Sequence, residues 1–168
     1  MKQTVLITGG TGFVGKALTK ALVKKGYKVI ILTRNVAGKD RHEQVQFAVW
    51  SVHKQQIDIT ALQQADYIIH LAGAGVVEKK WTAAYKKEIQ DSRTESSSLI
   101  YEALKNDENK VKAIISASAI GWYGADTEPV KPFTEDATAD DSFLGQTCKR
   151  WEAGIEPVIT LGKRLVKF

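Results

Sequence analysis

The sequence predicts an α/β domain built on a doubly wound parallel sheet in three layers, and three observations carry that expectation. Short apolar runs rich in β-branched residues alternate with longer segments of helical period, the pattern of successive βαβ units. The first, fourth and fifth runs are almost continuously apolar, as strands covered by helices on both faces must be. A length of 168 residues with 43% hydrophobic content suits one sizeable core rather than two.

Six strands are read at 4–8, 28–33, 45–50, 66–71, 111–116 and 164–168, with helices between them at 13–25, 60–64, 79–105 and 142–161. Gly26 stops the first helix, supplying a left-handed position that other residues resist. Thr60 with Gln63 has the form of a capping box ahead of the second. In the third, Trp81, Tyr85, Ile89, Ser92, Ser96, Leu99, Ile100 and Ala103 recur at steps of three and four, which predicts one buried stripe with its aromatics in the core. Pro157 falls within the fourth and should kink it or end its first half. The last strand is read as buried. Natural domains seldom stop in such a strand, so residues 1–168 are expected to be one domain of a longer protein.

A net charge of +5 and a pI near 9.2 raise the question of a polyanionic partner. Lys and Arg are spread over helix faces, as at Lys16, Lys20, Lys24 and Lys86, without the interleaved aromatics of a single-strand binder. They read as solvated faces, and no nucleic-acid partner is expected. Segment 125–141 holds six acids against Lys131 and so carries −5; the total being +5, the rest of the chain carries +10. The single cysteine, Cys148, excludes an internal disulfide and any multi-cysteine metal site, and its default reading is a buried small residue. With no signal-peptide pattern and no apolar run near the roughly 20 residues of a membrane span, a cytoplasmic location without membrane contact is expected.

After the first strand comes Thr8-Gly9-Gly10-Thr11-Gly12-Phe13-Val14-Gly15, with Gly9, Gly12 and Gly15 in the spacing G-x-x-G-x-x-G. Gly9 allows the tight turn out of the strand, Gly12 lets a pyrophosphate approach the backbone, and Gly15 lets the helix pack closely. The amides of Thr11, Phe13 and Val14 then face the anion, helped by the helix dipole. A strand before the motif, a helix opening on it and a second strand after it supply the context of a Rossmann-type dinucleotide site, with strand order 3-2-1-4-5-6. NAD-preferring sites place Asp or Glu about 20 residues further on, for the ribose 2′-hydroxyl. Here stand Thr33 and Arg34, and Arg34 can grip a 2′-phosphate with two charge-assisted hydrogen bonds, assisted by Asn35, Lys39 and Arg41. NADP(H) is therefore expected in preference to NAD(H). The competing reading makes Arg34 the decoration of a surface turn.

Thr8–Gly15, Ile69-His70-Leu71-Ala72-Gly73 and Ser116-Ala117-Ser118-Ala119-Ile120-Gly121-Trp122-Tyr123-Gly124 together resemble the extended short-chain dehydrogenase/reductase superfamily, including its NAD-dependent epimerase/dehydratase members. Lys80-Trp81-Thr82, Glu88-Ile89-Gln90-Asp91-Ser92-Arg93 and Lys149-Arg150-Trp151-Glu152 resemble an atypical epimerase-like subgroup with a nucleotide-binding half followed by a substrate-binding half. The resemblance implies that Leu71, Ala72 and Gly73 line the cofactor and that Ser118 holds the place of the catalytic Ser or Thr. Ser116 joins the cofactor-binding set or hydrogen-bonds locally. Arg93 is expected to face the cofactor with Glu88, a solvent-facing Arg93 being the alternative. His70, inside an apolar strand, reads as satisfying a backbone or helix partner rather than as a general base.

The superfamily's Tyr-x-x-x-Lys pair, in which Lys lowers the tyrosine pKa for proton exchange, is not present at that spacing. Alignment on Glu152 puts Leu144 and Cys148 in its place, leaving Tyr123 or a water held by Ser118 as the proton donor. Cys148 as a nucleophile lacks an assignable base. The acidic segment 125–141 reads either as a lid or as a surface loop. The expected activity is that of an NADP-dependent oxidoreductase or a nucleoside-diphosphate-sugar epimerase on a small-molecule substrate. A non-catalytic NADP(H) sensor or scaffold is the alternative.

Overall fold

In the computed structural model, which describes residues 2–38, 43–126 and 132–168, the strands are β1 (Thr4–Thr8), β2 (Lys28–Thr33), β3 (Val45–Ser51), β4 (Gln56–Ile57), β5 (Tyr67–His70), β6 (Ala113–Ser116) and β7 (Arg164–Lys167). They form one sheet in the order β4-β3-β2-β1-β5-β6-β7. This is the expected order with one addition: the two-residue β4 pairs antiparallel with β3 at the edge, while the other neighbours run parallel. The register aligns Leu32, Thr8, His70, Ser116 and Lys167 in one row at the carboxyl ends of the strands. That row underlies the functional site.

Period-two alternation divides the buried strand residues between two faces. Leu6, Ile30, Ile68 and Ile114 pack against α2 (Ile59–Gln64), α3 (Ala83–Asn106) and α4 (Phe143–Ile155). Val5, Ile7, Val29, Ile31 and Ile69 face the other way, toward Leu18, Leu22 and Val23 of α1 (Phe13–Lys24). Burying each such side chain contributes about 1.5–3 kcal/mol before chain entropy is charged. Gly26 takes φ +88 and, with Tyr27, returns amides to Val23 and Leu22, closing α1 as expected.

The helix starts and the last strand differ from expectation for local reasons, whereas the break at Pro157 is as expected. Thr82 caps α3 by accepting from the Tyr85 amide, so the helix begins at Ala83 rather than at 79. Trp81 therefore leaves the buried stripe and stands 44% exposed against Phe143, whereas Tyr85, Ile89, Ser96, Leu99, Ile100 and Ala103 are buried. Asp58, not Thr60, caps α2 through the Ala61 amide. The fourth helical segment ends as α at Ile155 and continues as a 3-10 helix over Glu156–Leu161, since Pro157 has no amide to extend the ladder. β7 is a largely exposed edge strand, not the buried one expected.

Candidate functional site

The turn between β1 and α1 is shaped by glycines that could not be replaced. Gly9 has φ +70, and a Cβ there would lie 2.9 Å from the Leu71 carbonyl, so the turn rests directly on the loop that follows β5. A Cβ on Gly15 would lie 2.3 Å from the Gly9 oxygen and 2.5 Å from Gly10 Cα; the close approach is to the turn's own backbone rather than to the sheet. Gly10, outside the expected triplet, is needed as well, because Ile31 fills the space beside it. Gly12 caps α1 without a side-chain hydrogen bond, which leaves the first-turn amides available to an anion. Thr11 is exposed, and Phe13 and Val14 stand 94% and 58% exposed at the helix start, an unusual placement for apolar side chains.

Arg34, beyond the end of β2, is exposed and makes no ion pair or hydrogen bond among the described residues. Thr33 and Asn35 form the turn beneath it: Thr33 Oγ1 bonds the Asn35 carbonyl at 3.2 Å, and Asn35 Oδ1 accepts from the Ala37 amide at 2.8 Å. Lys39 and Arg41 lie outside the described residues.

Thr8 and His70 lock the two central strands together. Thr8 Oγ1 accepts from the amides of Leu71 at 3.1 Å and Ala72 at 3.2 Å and lies 2.7 Å from His70 Nδ1. With its acceptor sites used, Thr8 donates its proton to Nδ1, so the ring proton of His70 sits on Nε2, facing Ser96 and Ser97 hydroxyls at 3.3 Å. His70 is fully buried; burial, with the Arg93 charge adding, lowers its pKa from 6.5 to about 4. It is a neutral structural link to helix α3, not a base. Leu71, Ala72 and Gly73 thus emerge beside the glycine turn on a fixed backbone. The loop beyond them is tied to α3 by Ser92 Oγ accepting the Ala74 amide and by Tyr85 donating to the Gly75 carbonyl.

Arg93 turns inward. Nη1 donates to the carbonyls of Ala74 at 3.1 Å and Ile89 at 2.8 Å, and the guanidinium lies 5.0 Å from the Trp151 ring centre. A Cβ at Gly73 would come within 2.9 Å of Arg93 Cζ, so Gly73 makes room for it. Glu88 is not its partner: it is exposed and pairs with Lys79 at 3.4 Å. Glu88 precedes Arg93 by five residues and so leaves the helix on a different face.

Helix α4 runs along the segment after β6. Leu144 and Cys148 face Gly121, Cys148 Sγ reaches the Ala119 carbonyl at 3.6 Å, and Glu152 Oε1 accepts from Ser118 Oγ at 2.6 Å. Glu152 in turn holds Lys167 of β7 at 2.7 Å, and Lys167 reaches Glu156 at 2.8 Å. Burial alone would lower the Lys167 pKa, but the two carboxylates outweigh it and raise it. Burial pushes the Cys148 thiol up, against the opposing Arg93 charge. Ser116 is buried in the central row and donates only to the Ala117 carbonyl, the local reading. Tyr123 stacks on Phe133 at 5.1 Å, and Trp122 Nε1 donates to the Ala137 carbonyl, so the described part of the acidic segment folds back on the 3-10 turn Ile120–Tyr123. Residues 127–131 lie outside the described residues. Sequence reasoning missed Lys167 and Trp151 as parts of this site, and used Glu152 only as an alignment mark; the signal for Lys167 is its register opposite Ser116.

The sequence profile of the NAD dependent epimerase/dehydratase family matches residues 5–147. The chain belongs to that family. It is 33% identical over 162 residues to an epimerase family protein of Staphylococcus saprophyticus, covering 96% of this chain and 52% of that one. It is 34% identical over 165 residues to the epimerase family protein YfhF of Bacillus subtilis, covering 98% and 53%. The chain thus spans about half the length of the curated relatives it matches. Among solved structures, a nucleoside-diphosphate sugar epimerase of Corynebacterium glutamicum aligns over 100% of this chain and 33% of its own, with TM-score 0.78 and 32% identity. The human epimerase family protein SDR39U1, solved with NADPH, aligns over 91% and 48% with TM-score 0.70 and 24% identity, a likeness of fold. In this family setting the tight glycine turn, with no side-chain cap on the first amides of α1, fits a dinucleotide pyrophosphate. Among the described residues no helix is long and apolar enough to cross a membrane.

Proposed function

We propose that this chain is the NADP(H)-binding part of an atypical member of the epimerase/dehydratase family, acting in an oxidoreductase or nucleoside-diphosphate-sugar epimerase. The observation that carries the cofactor choice is Arg34, an exposed guanidinium without a partner among the described residues, at the strand end where a carboxylate would select NAD. Gly9, Gly12 and Gly15 with the amides of Thr11, Phe13 and Val14 hold the pyrophosphate, and Leu71–Gly73 line the path beyond it. Bound NADP(H) supplies hydride transfer. Fold likeness does not decide between cofactors, since one structural neighbour was solved with NADPH and another, a UDP-glucuronic acid 4-epimerase of Bacillus cereus, with NAD. Arg34→Glu should weaken NADPH binding on the order of a hundredfold and NADH binding by no more than about twofold, read by equilibrium titration. Equal losses for both overturn the assignment.

Ser118 positions a substrate oxygen as an acceptor, because its own proton is committed to Glu152. Leu144 can move no proton, and Cys148 is held as a neutral thiol, so the residues facing Gly121 do not reproduce the superfamily's Tyr and Lys. Tyr123 is the remaining candidate donor in this segment. The same observation favours a second reading, an NADP(H) sensor or scaffold. Cofactor turnover by the complete protein on carbonyl and sugar-nucleotide substrates separates the two: turnover supports the enzyme, and binding without turnover across the panel supports the sensor.

A further inference from the structure

Arg93 is more than a lining residue. Both of its hydrogen bonds leave from Nη1 to carbonyls, and no carboxylate pairs with the guanidinium among the described residues. A partly buried cation without a counter-ion carries a desolvation cost, met here by neutral groups alone: two carbonyls and the Trp151 ring. Its surroundings carry no offsetting charge. The Cys148 thiol is held protonated, His70 is neutral, and the Glu152 carboxylate is matched by Lys167. The aromatic face of Trp151 and the close approach at Gly73 fix the guanidinium in place.

The position of this charge matters because of strand order. If Arg34 at the end of β2 takes the 2′-phosphate and the glycine turn after β1 takes the pyrophosphate, the second nucleoside lies beyond β1, over the ends of β5 and β6. Gly73 and Arg93 stand at that end. We propose that Arg93 makes the site discriminate between the redox states of its dinucleotide, favouring reduced NADPH, whose nicotinamide ring is uncharged, over NADP⁺, whose ring carries a positive charge. The inference rests on the dinucleotide reading above and deepens it.

Titrating the full chain with NADPH, NADP⁺ and 2′-phospho-ADP-ribose, which lacks the nicotinamide, tests it. NADPH should bind about tenfold more tightly than NADP⁺, and NADP⁺ no more tightly than 2′-phospho-ADP-ribose. In Arg93→Gln the ratio should fall toward one, chiefly because NADP⁺ binds better, while Arg93→Lys keeps most of it. A wild-type ratio near one, or NADP⁺ gaining affinity over 2′-phospho-ADP-ribose, overturns the inference without recourse to any variant. A ratio unchanged in a folded Arg93→Gln protein overturns it too. Failure of all three ligands to bind would instead overturn the dinucleotide reading, and this inference with it.

Discussion

The two halves of the sheet's carboxyl edge are built in different ways. From β1 to the residue after β2, the site is made largely of backbone: glycines with no room for a Cβ, helix amides without a side-chain cap, and the Arg34 guanidinium, which has no partner among the described residues. From β6 to β7 it is made of side chains reaching across the chain, as Ser118 does to Glu152 and Glu152 to Lys167. The first half offers a charged ligand open donors. In the second, the Ser118, Glu152 and Lys167 side chains already satisfy one another, whereas the buried Trp151 Nε1 has no partner among the described residues. A phosphate-bearing ligand can therefore be held by the first half alone, whereas anything that uses Ser118 must accept or rearrange an existing hydrogen bond.

That contrast can be broken at either end. The largest effect is expected for Gly15→Val, which forces a branched side chain into the Gly9–Gly10 backbone; it should abolish measurable NADPH binding and cost roughly 3 kcal/mol in denaturant unfolding. Wild-type-like binding by that variant would mean the turn is not the cradle.

His70, between the two halves, should make stability depend on pH. Its folded-state pKa is lowered from 6.5 to about 4, so between those values the unfolded chain binds the proton and the folded one does not. Stability should fall as pH drops from about 6.5 to about 4, by up to roughly 3 kcal/mol, and then lose no more on this account. His70→Gln, lacking the titrating group, should show a flatter profile over that window; parallel profiles would contradict a buried neutral histidine.

The smallest effect belongs to the second half. Glu152→Gln removes the charge facing Lys167 but leaves an acceptor for Ser118, so it should cost about 1 kcal/mol in thermal unfolding. NADPH affinity should stay within about twofold of wild type. A large loss of affinity would show that the two halves are not independent.

The same division explains what the sequence made legible. Gly9, Gly12, Gly15 and Arg34 act within one βαβ unit, where spacing along the chain fixes spacing in space, and the parallel strand order followed from the alternation of elements. Gly10 escaped notice because its constraint is Ile31, a residue of the neighbouring strand. Trp81 fits the helical period yet lies outside the helix, since the Thr82 hydroxyl competes for the backbone there. Glu88 and Arg93 share a helix but not a face. The Ser118–Glu152–Lys167 chain spans three elements, and nothing local to Ser118 announces partners 34 and 49 residues away. The inward turn of Arg93 likewise depends on Trp151 of another helix.

We assign cofactor selection to an open backbone cradle with Arg34 at its edge. The most direct measurement of that selection is the affinity of the wild-type chain for NADPH and NADH under one salt condition. NADPH should bind more tightly than NADH by at least about tenfold, the value of one charge-assisted phosphate contact. Equal affinities, or tighter binding of NADH, would contradict it.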